Sequence, residues 1–277
     1  MTAAAPPRTG MRPTLPLRRI DDDPQSFEES FRAALPVVIA GAARRMPAFE
    51  RWTDAYLTQT LADARPVVRL ADGRNARMHV KDFLDYLAEP ARFPSSLGPV
   101  YLTDFYVRPG FLEPGRETLG EDVACPLPRR GPYAEWITLY AGPAGTGTSM
   151  HQDVFSTHTW LAQLRGEKVW RLCAPAALEP GVGESVDAFG DDDLGCDVYE
   201  AILGPGDVIY LPPDWWHQVV NRSASMALSG NFCTFDAARA SLAEVLAGPD
   251  SLLKDVWSKA WRAVLEADLS STRGEKL

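Results

Sequence analysis

The chain has 277 residues, 45% of them hydrophobic, a length that buries a sizeable core in one large domain, or a domain with appendages, without covalent staples. A net charge of -9 and a pI near 5.0 exclude a general basic footprint for nucleic acid, although a local basic groove is compatible with an acidic total. The four cysteines, Cys125, Cys173, Cys196 and Cys233, contain no CxxC pair, so neither a zinc knuckle nor a disulfide framework is expected.

The 23 prolines and 21 glycines are spread along the chain, which favours many turns and short strands over a helical bundle. Residues Met1 to Arg19 are rich in Pro, Ala and Arg and lack the apolar stretch of a secretory signal, so they read as a flexible lead-in (1–19). No apolar run approaches the ~20 residues of a membrane helix. A cytoplasmic, reducing compartment and no membrane are expected. The pairs Arg18-Arg19, Arg44-Arg45 and Arg129-Arg130 read as solvated surface.

The first third is mixed. Pro24 to Ala34 is a helix candidate with Asp23 or Ser26 as cap. Pro36-Val-Val-Ile-Ala-Gly41 is a β-branched run ended by glycine, hence a buried strand. Phe49 to Ala62 carries apolar residues at helical spacing, Pro66 to Leu70 reads as a strand, Val80 to Leu87 as a helix, and Val100 to Val107 as a strand. The middle changes character: Trp136 to Ala141, Thr159 to Leu164, Lys168 to Leu172, Val198 to Ile202, Asp207 to Leu211, Gln218 to Asn221 and Met226 to Asn231 are short strands parted by Gly, Pro and Asp turns. That spacing predicts a barrel or a double-sheet sandwich. From Ala237 to Leu269 the apolar residues return to helical spacing, and Gly248-Pro249 divides the stretch into two helices. Their apolar faces pack either on the barrel or on a second subunit, and they suggest homodimerisation.

Four histidines are present: His79, His151, His158 and His217. His151-Gln152-Asp153 sets an imidazole and a carboxylate at i and i+2, which on a strand point to the same face. His217, after the stiff string Leu211-Pro-Pro-Asp-Trp-Trp216, is the obvious third donor. Two histidines and one carboxylate on one face of an octahedral ion leave the opposite face open, the facial triad of non-haem iron(II) oxygenases. His-x-Asp alone is a weak signal. His158 reads as a packing or surface residue, with support of the metal ligands or a place at the substrate mouth as its sharper reading, and His79 reads as structural. Asp191, Asp192 and Asp193 form an acidic loop whose default is solvation and whose sharper reading is a rim for a cationic substrate.

Three segments give the context: Gly145-Thr-Gly-Thr-Ser-Met-His151-Gln-Asp153, Leu164-Arg-Gly-Glu-Lys168-Val-Trp-Arg-Leu172, and Gly204-Pro-Gly-Asp-Val-Ile-Tyr-Leu-Pro-Pro-Asp-Trp-Trp-His217. In this order and spacing they closely resemble the Jumonji-C (JmjC), cupin-like family of Fe(II)- and 2-oxoglutarate-dependent oxygenases. The resemblance is firm over Tyr133 to Thr234 and looser from Leu17 onward. It implies a mainly β fold with flanking helices: a double-stranded β-helix (jelly-roll, cupin-like) core over 20–236 with N-terminal elaboration, and a C-terminal helical pair over 237–277.

The resemblance implies iron(II) at His151, Asp153 and His217, with 2-oxoglutarate as co-substrate and O2 as oxidant. Lys168 matches the family's lysine for the distal carboxylate of 2-oxoglutarate, and a dianion does need a cation. Thr148 matches a supporting hydroxyl and Tyr101 a supporting tyrosine. Asn231 matches a polar position near the co-substrate, with Ser229 on the same strand face. Leu161 stands where some relatives carry asparagine, which puts the co-substrate's geometry in doubt. The implied reaction is hydroxylation of a C–H bond, first on a protein or peptide side chain, next on a free amino acid or natural-product intermediate, with methyl-lysine demethylation as a lesser option. Two other classes stay open: a cupin metalloenzyme that does not use 2-oxoglutarate, and an inactive binding protein.

Overall fold

The computed structural model describes residues 14–107, 117–127, 136–179 and 181–248, together with 254, 258, 259, 261, 262, 265 and 266. Strands β1 (Leu15–Pro16) and β2 (Arg19–Ile20) precede helix α1 (Pro24–Arg32). Asp23 caps that helix by accepting from the Ser26 amide at 2.7 Å, and Pro24 fills its first turn, where no N–H is needed. The run from Pro36 yields β3 (Val37–Ile39), whose three residues are all buried.

The stretch Phe49 to Ala62, expected as one helix, is two: α2 (Pro47–Arg51) and α3 (Asp54–Thr60). Thr53 causes the break. Its hydroxyl accepts from the Tyr56 amide and starts a new helix, while the Trp52 carbonyl accepts from the Arg165 guanidinium. A capping residue has overridden an apolar period that runs on through it. Beyond lie β4 (Val67–Arg69), β5 (Asn75–Arg77), α4 (Val80–Ala88), β6 (Tyr101–Tyr106) and α5 (Glu117–Gly120).

A buried carboxylate ties this layer together. Asp122 is fully buried, accepts from Trp52 Nε1 at 3.0 Å and Tyr56 Oη at 2.7 Å, and pairs with Arg51. Replacing Asp122 by alanine strands the buried Trp52 indole N–H and the half-buried Tyr56 hydroxyl, and a loss of about 2–3 kcal/mol is expected in urea unfolding. An unchanged midpoint would contradict that role.

The central alternation becomes eight strands: β7 (Trp136–Gly142), β8 (Gly147–His151), β9 (His158–Arg165), β10 (Lys168–Cys173), β11 (Tyr199–Leu203), β12 (Val208–Leu211), β13 (Trp216–Asn221) and β14 (Ser225–Phe232). They form two facing antiparallel sets, β12-β9-β14-β7 and β11-β10-β13-β8, so consecutive strands cross between sheets in jelly-roll order at every step but the β10-β11 hairpin. The larger set continues through β3 and β2 at one edge and β6, β4 and β5 at the other, while β1 extends the smaller.

Period two sorts the side chains. On β9, Trp160, Ala162 and Leu164 join the core beneath the helices, whereas Leu161 points into the barrel with Trp170, Leu172, Leu203, Ile209 and Leu211. Both faces of this sheet are covered, which is why its strands read as continuous apolar runs. At Gly230, directly opposite Trp160, a Cβ would come within 2.4 Å of the indole, so only glycine lets the ring lie flat on β14.

Helix α6 (Phe235–Ala247) ends just before Gly248, as the break there predicts. Ser241 and Val245 are buried, and Glu244 accepts from Ser156, so the helix packs on its own barrel. Trp261 is likewise buried within the single chain. Among the described residues, no helix is long and apolar enough to cross a membrane.

Candidate metal centre

His151 closes β8 and His217 is the second residue of β13, and the pairing of these strands sets the two residues directly opposite one another. Their ring centroids are 4.1 Å apart. A register shift between His217 and Val219 marks a bulge beside the site, a common way to re-aim a side chain. The carboxylate arrives differently from the expected pleat. Asp153 lies two residues past the end of β8, in extended backbone at the start of a 3-10 turn, Val154–Ser156. No partner strand fixes it there, so the turn and its hydrogen bonds must. Phe155 and Ser156 are both left-handed (φ 59° and 47°), a costly pair of conformations directly after a ligand.

One donor atom each from His151, Asp153 and His217 lies within 4.8 Å of the others, the single group of three or more such residues among those described. Both imidazoles have Nδ1 against a backbone carbonyl, His151 at 2.8 Å from Ser149 O and His217 at 3.0 Å from Trp215 O. A carbonyl only accepts, so each Nδ1 carries the proton and each Nε2 keeps its lone pair for a metal. Burial, and then the neighbouring His151, hold the His217 imidazole well below its ordinary pKa, in the neutral form a metal requires. Trp170 stacks on His217 at 5.5 Å and fixes its plane. This donor set is the two-histidine, one-carboxylate face that suits iron(II).

Asp153 is held by Thr159, which the sequence did not single out, and through it by Asn231. Thr159 on β9 donates to Asp153 Oδ2, and Asn231 on β14, its register partner, donates to Thr159 Oγ1 at 2.7 Å and to Thr157 Oγ1 at 3.1 Å. Accepting from Asn231 turns the Thr159 hydroxyl hydrogen toward the carboxylate. Asn231, expected near the co-substrate, thus spends its amide nitrogen on orienting a metal ligand. Thr159→Val keeps the shape and removes the hydroxyl; anaerobic titration with manganese(II) is expected to show binding weakened by about tenfold to a hundredfold. Undiminished affinity would contradict the relay. Gln152, between two ligands, donates to Asp214 O at 2.6 Å, and Ser156 donates to Asp214 Oδ1 at 3.0 Å, so the two ligand-bearing segments are laced together.

The triad opens on a cavity lined also by Tyr101, Tyr140, Thr148, Lys168, Ser229 and Asn231, so the residues expected to hold metal and co-substrate all line one space. Ser229 donates to the backbone at Trp160 O (3.1 Å). Leu161 and Trp170 give the cavity apolar walls. Lys168 is wholly buried. Its ammonium donates to Asn221 Oδ1 at 2.5 Å and lies 5.6 Å from the Tyr101 ring centre, and no described carboxylate is ion-paired with it. Burial pushes its pKa down to about 7. An unpaired buried cation is expensive, and it fits a site whose anion arrives with the ligand. Trp170 Nε1 is likewise buried without a hydrogen-bond partner among the described residues.

The remaining candidates lie outside the residues that line this cavity. His158 is buried, in contact with Tyr210 Oη at 2.8 Å and stacked on Phe31 and Phe232 at 5.0 Å each. His79 precedes α4 and makes no capping hydrogen bond. Asp191 to Asp193 are exposed, with Asp192 and Asp193 accepting from nearby amides.

A jelly roll with a facial triad at one mouth and a lone buried lysine inside it defines a cupin-type metalloprotein. The description "Cupin-like domain" matches residues 24–180 and "JmjC domain" matches residues 133–239. The chain belongs to this JmjC, cupin-like family. It is 31% identical to "Arginine-specific demethylase JMJ22" of Arabidopsis thaliana over 82% of its own length and 46% of that protein. It is 24% identical to "Bifunctional arginine demethylase and lysyl-hydroxylase psr-1" of Caenorhabditis elegans, over 79% of the chain and 62% of the relative. With "2-oxoglutarate and iron-dependent oxygenase JMJD4" of Danio rerio it shares 24% identity over 57% of the chain and 43% of the relative. The chain therefore spans about half the length of these relatives.

Proposed function

We propose that this protein is an iron(II)- and 2-oxoglutarate-dependent oxygenase that hydroxylates a C–H bond on a protein or peptide side chain. One observation supports the co-substrate most: the unpaired, buried Lys168 shares a cavity with the open face of the triad. When bound, iron(II) and 2-oxoglutarate supply oxygen activation, with succinate and carbon dioxide as co-products. The chain does the rest. His151, Asp153 and His217 hold the metal on one side, leaving the cavity side for ligands. Lys168 receives the distal carboxylate, with the Thr148 and Tyr101 hydroxyls in the same wall. Leu161, Trp170 and Val219 keep the interior apolar and exclude water.

The protein substrate is supported by the names of the relatives, which act on arginine and lysine residues. Demethylation of an N-methyl group begins with the same hydroxylation, so the site serves either outcome. Incubating the purified protein with iron(II), 2-oxoglutarate, O2 and lysine- and arginine-rich peptides, methylated and unmethylated, tests the reading by mass spectrometry. A peptide gaining one oxygen atom or losing a methyl group is the expected result. Turnover of free amino acids alone would contradict the substrate class.

A further inference from the structure

Lys168 owes its position to a residue outside the metal motifs. Asn221 is its register partner on β13, itself 1% exposed, and among the described residues the one hydrogen-bond partner of the ammonium. The orientation of the Asn221 amide is forced. Its Nδ2 faces Gly142 O at 3.2 Å, which only accepts, and Thr146 Oγ1 at 2.9 Å. The Thr146 hydroxyl hydrogen goes to Pro143 O at 2.7 Å, so Thr146 too must accept from Asn221. The backbone is equally fixed: Asn221 N donates to Thr146 O at 2.7 Å, and Gly145 N donates to Asn221 O at 2.8 Å. With both Nδ2 hydrogens spent, Oδ1 is left to face Lys168.

That neutral oxygen anchors one of the three ammonium donors and cancels none of the charge. An aspartate here has the same shape, yet it would form an internal ion pair and leave the cavity without net charge to offer. Resting on the 2-oxoglutarate reading of the site, we infer that Asn221 is a positioning and specificity-determining residue. It holds Lys168 at the cavity wall with its charge uncompensated, and so restricts the cavity to ligands that bring their own distal carboxylate.

The test is calorimetric, on manganese(II)-loaded protein without oxygen, with 2-oxoglutarate and with 2-oxopentanoate, a 2-oxo acid that lacks the distal carboxylate. Asn221→Asp is expected to weaken 2-oxoglutarate binding by about a hundredfold or more, as for a buried charge whose partner is taken. It is also expected to erase the preference for 2-oxoglutarate over 2-oxopentanoate while leaving manganese(II) affinity unchanged. Asn221→Ser, which loosens Lys168 but keeps its charge, is expected to cost about tenfold and to retain the preference. The serine variant also stands without the aspartate one: its penalty should vanish in a Lys168→Met background, because positioning needs a lysine to position. Equal losses in both variants, an unchanged preference in Asn221→Asp, or a serine penalty that persists without Lys168 would overturn the inference. If the wild type binds no 2-oxoglutarate, the reading of the site falls, and this inference with it. If the wild type binds and the variants match it, only the inference falls.

Discussion

Asp153→Ala is expected to abolish 2-oxoglutarate turnover, measured as succinate formed under saturating iron(II) and O2. The carboxylate is the one anionic donor of the triad, and its loss leaves two neutral imidazoles to hold a dication. Removing a residue that only supports a ligand costs about tenfold to a hundredfold in metal affinity, so removing the ligand itself is expected to cost more than about a hundredfold. Thr159 and Asn231 would remain, turned toward an empty position, and no other described carboxylate lies close enough to the two histidines to complete the group. Asp191→Ala, at an exposed residue of the acidic loop, is the control expected to retain full turnover. Full activity in Asp153→Ala would refute the metal assignment.

The second large effect concerns charge. Lys168→Met is expected to raise KM for 2-oxoglutarate by about a hundredfold, the scale of a buried charge left without its partner. The folded protein should be as stable as the wild type or more so, because an apolar isostere replaces a buried ammonium that lacks an anion. The same residue imposes a pH dependence with a definite sign. Burial holds the free ammonium near a pKa of about 7, and a bound dicarboxylate would raise it. Below that pH the cation is already in place and affinity is constant on this account. Above it, binding must first take up a proton, so affinity falls as pH rises, by at most about tenfold per unit. The other titratable groups on the cavity are Tyr101, Tyr140, His151, Asp153 and His217. The Lys168→Met variant separates their contribution, since its profile should be flat above pH 7. Affinity that rises with pH in the wild type would contradict the assignment.

The fold and the triad were legible because their signals are local. Continuous apolar runs along β9, β12 and β14 report two covered faces, and the strings around His151, Lys168 and His217 carry their chemistry within a few residues. What was missed depends on contacts distant in sequence. Asn221 faces Lys168 across 53 positions, and Asn231 faces Thr159 across 72, so neither role shows in its own neighbourhood. Asn231 was expected near the co-substrate because it matches a polar position of the family; it lines the cavity, and its amide nitrogen also faces two threonines. The pleat expected to present His151 and Asp153 together ends at the first of them, and Asp153 lies in extended backbone between the strand end and the turn that holds the left-handed Phe155 and Ser156. The helix read through Trp52 failed for the opposite reason. There a local capping signal, Thr53, overrides the longer apolar period on which the single helix rested.

The most direct test of the account is optical. Anaerobic protein loaded with one equivalent of iron(II) is titrated with 2-oxoglutarate and followed in the visible range. Chelation at the cavity side of His151, Asp153 and His217 predicts a charge-transfer band that saturates with the dicarboxylate and is absent in Asp153→Ala. A spectrum that stays unchanged at saturating 2-oxoglutarate would contradict the account.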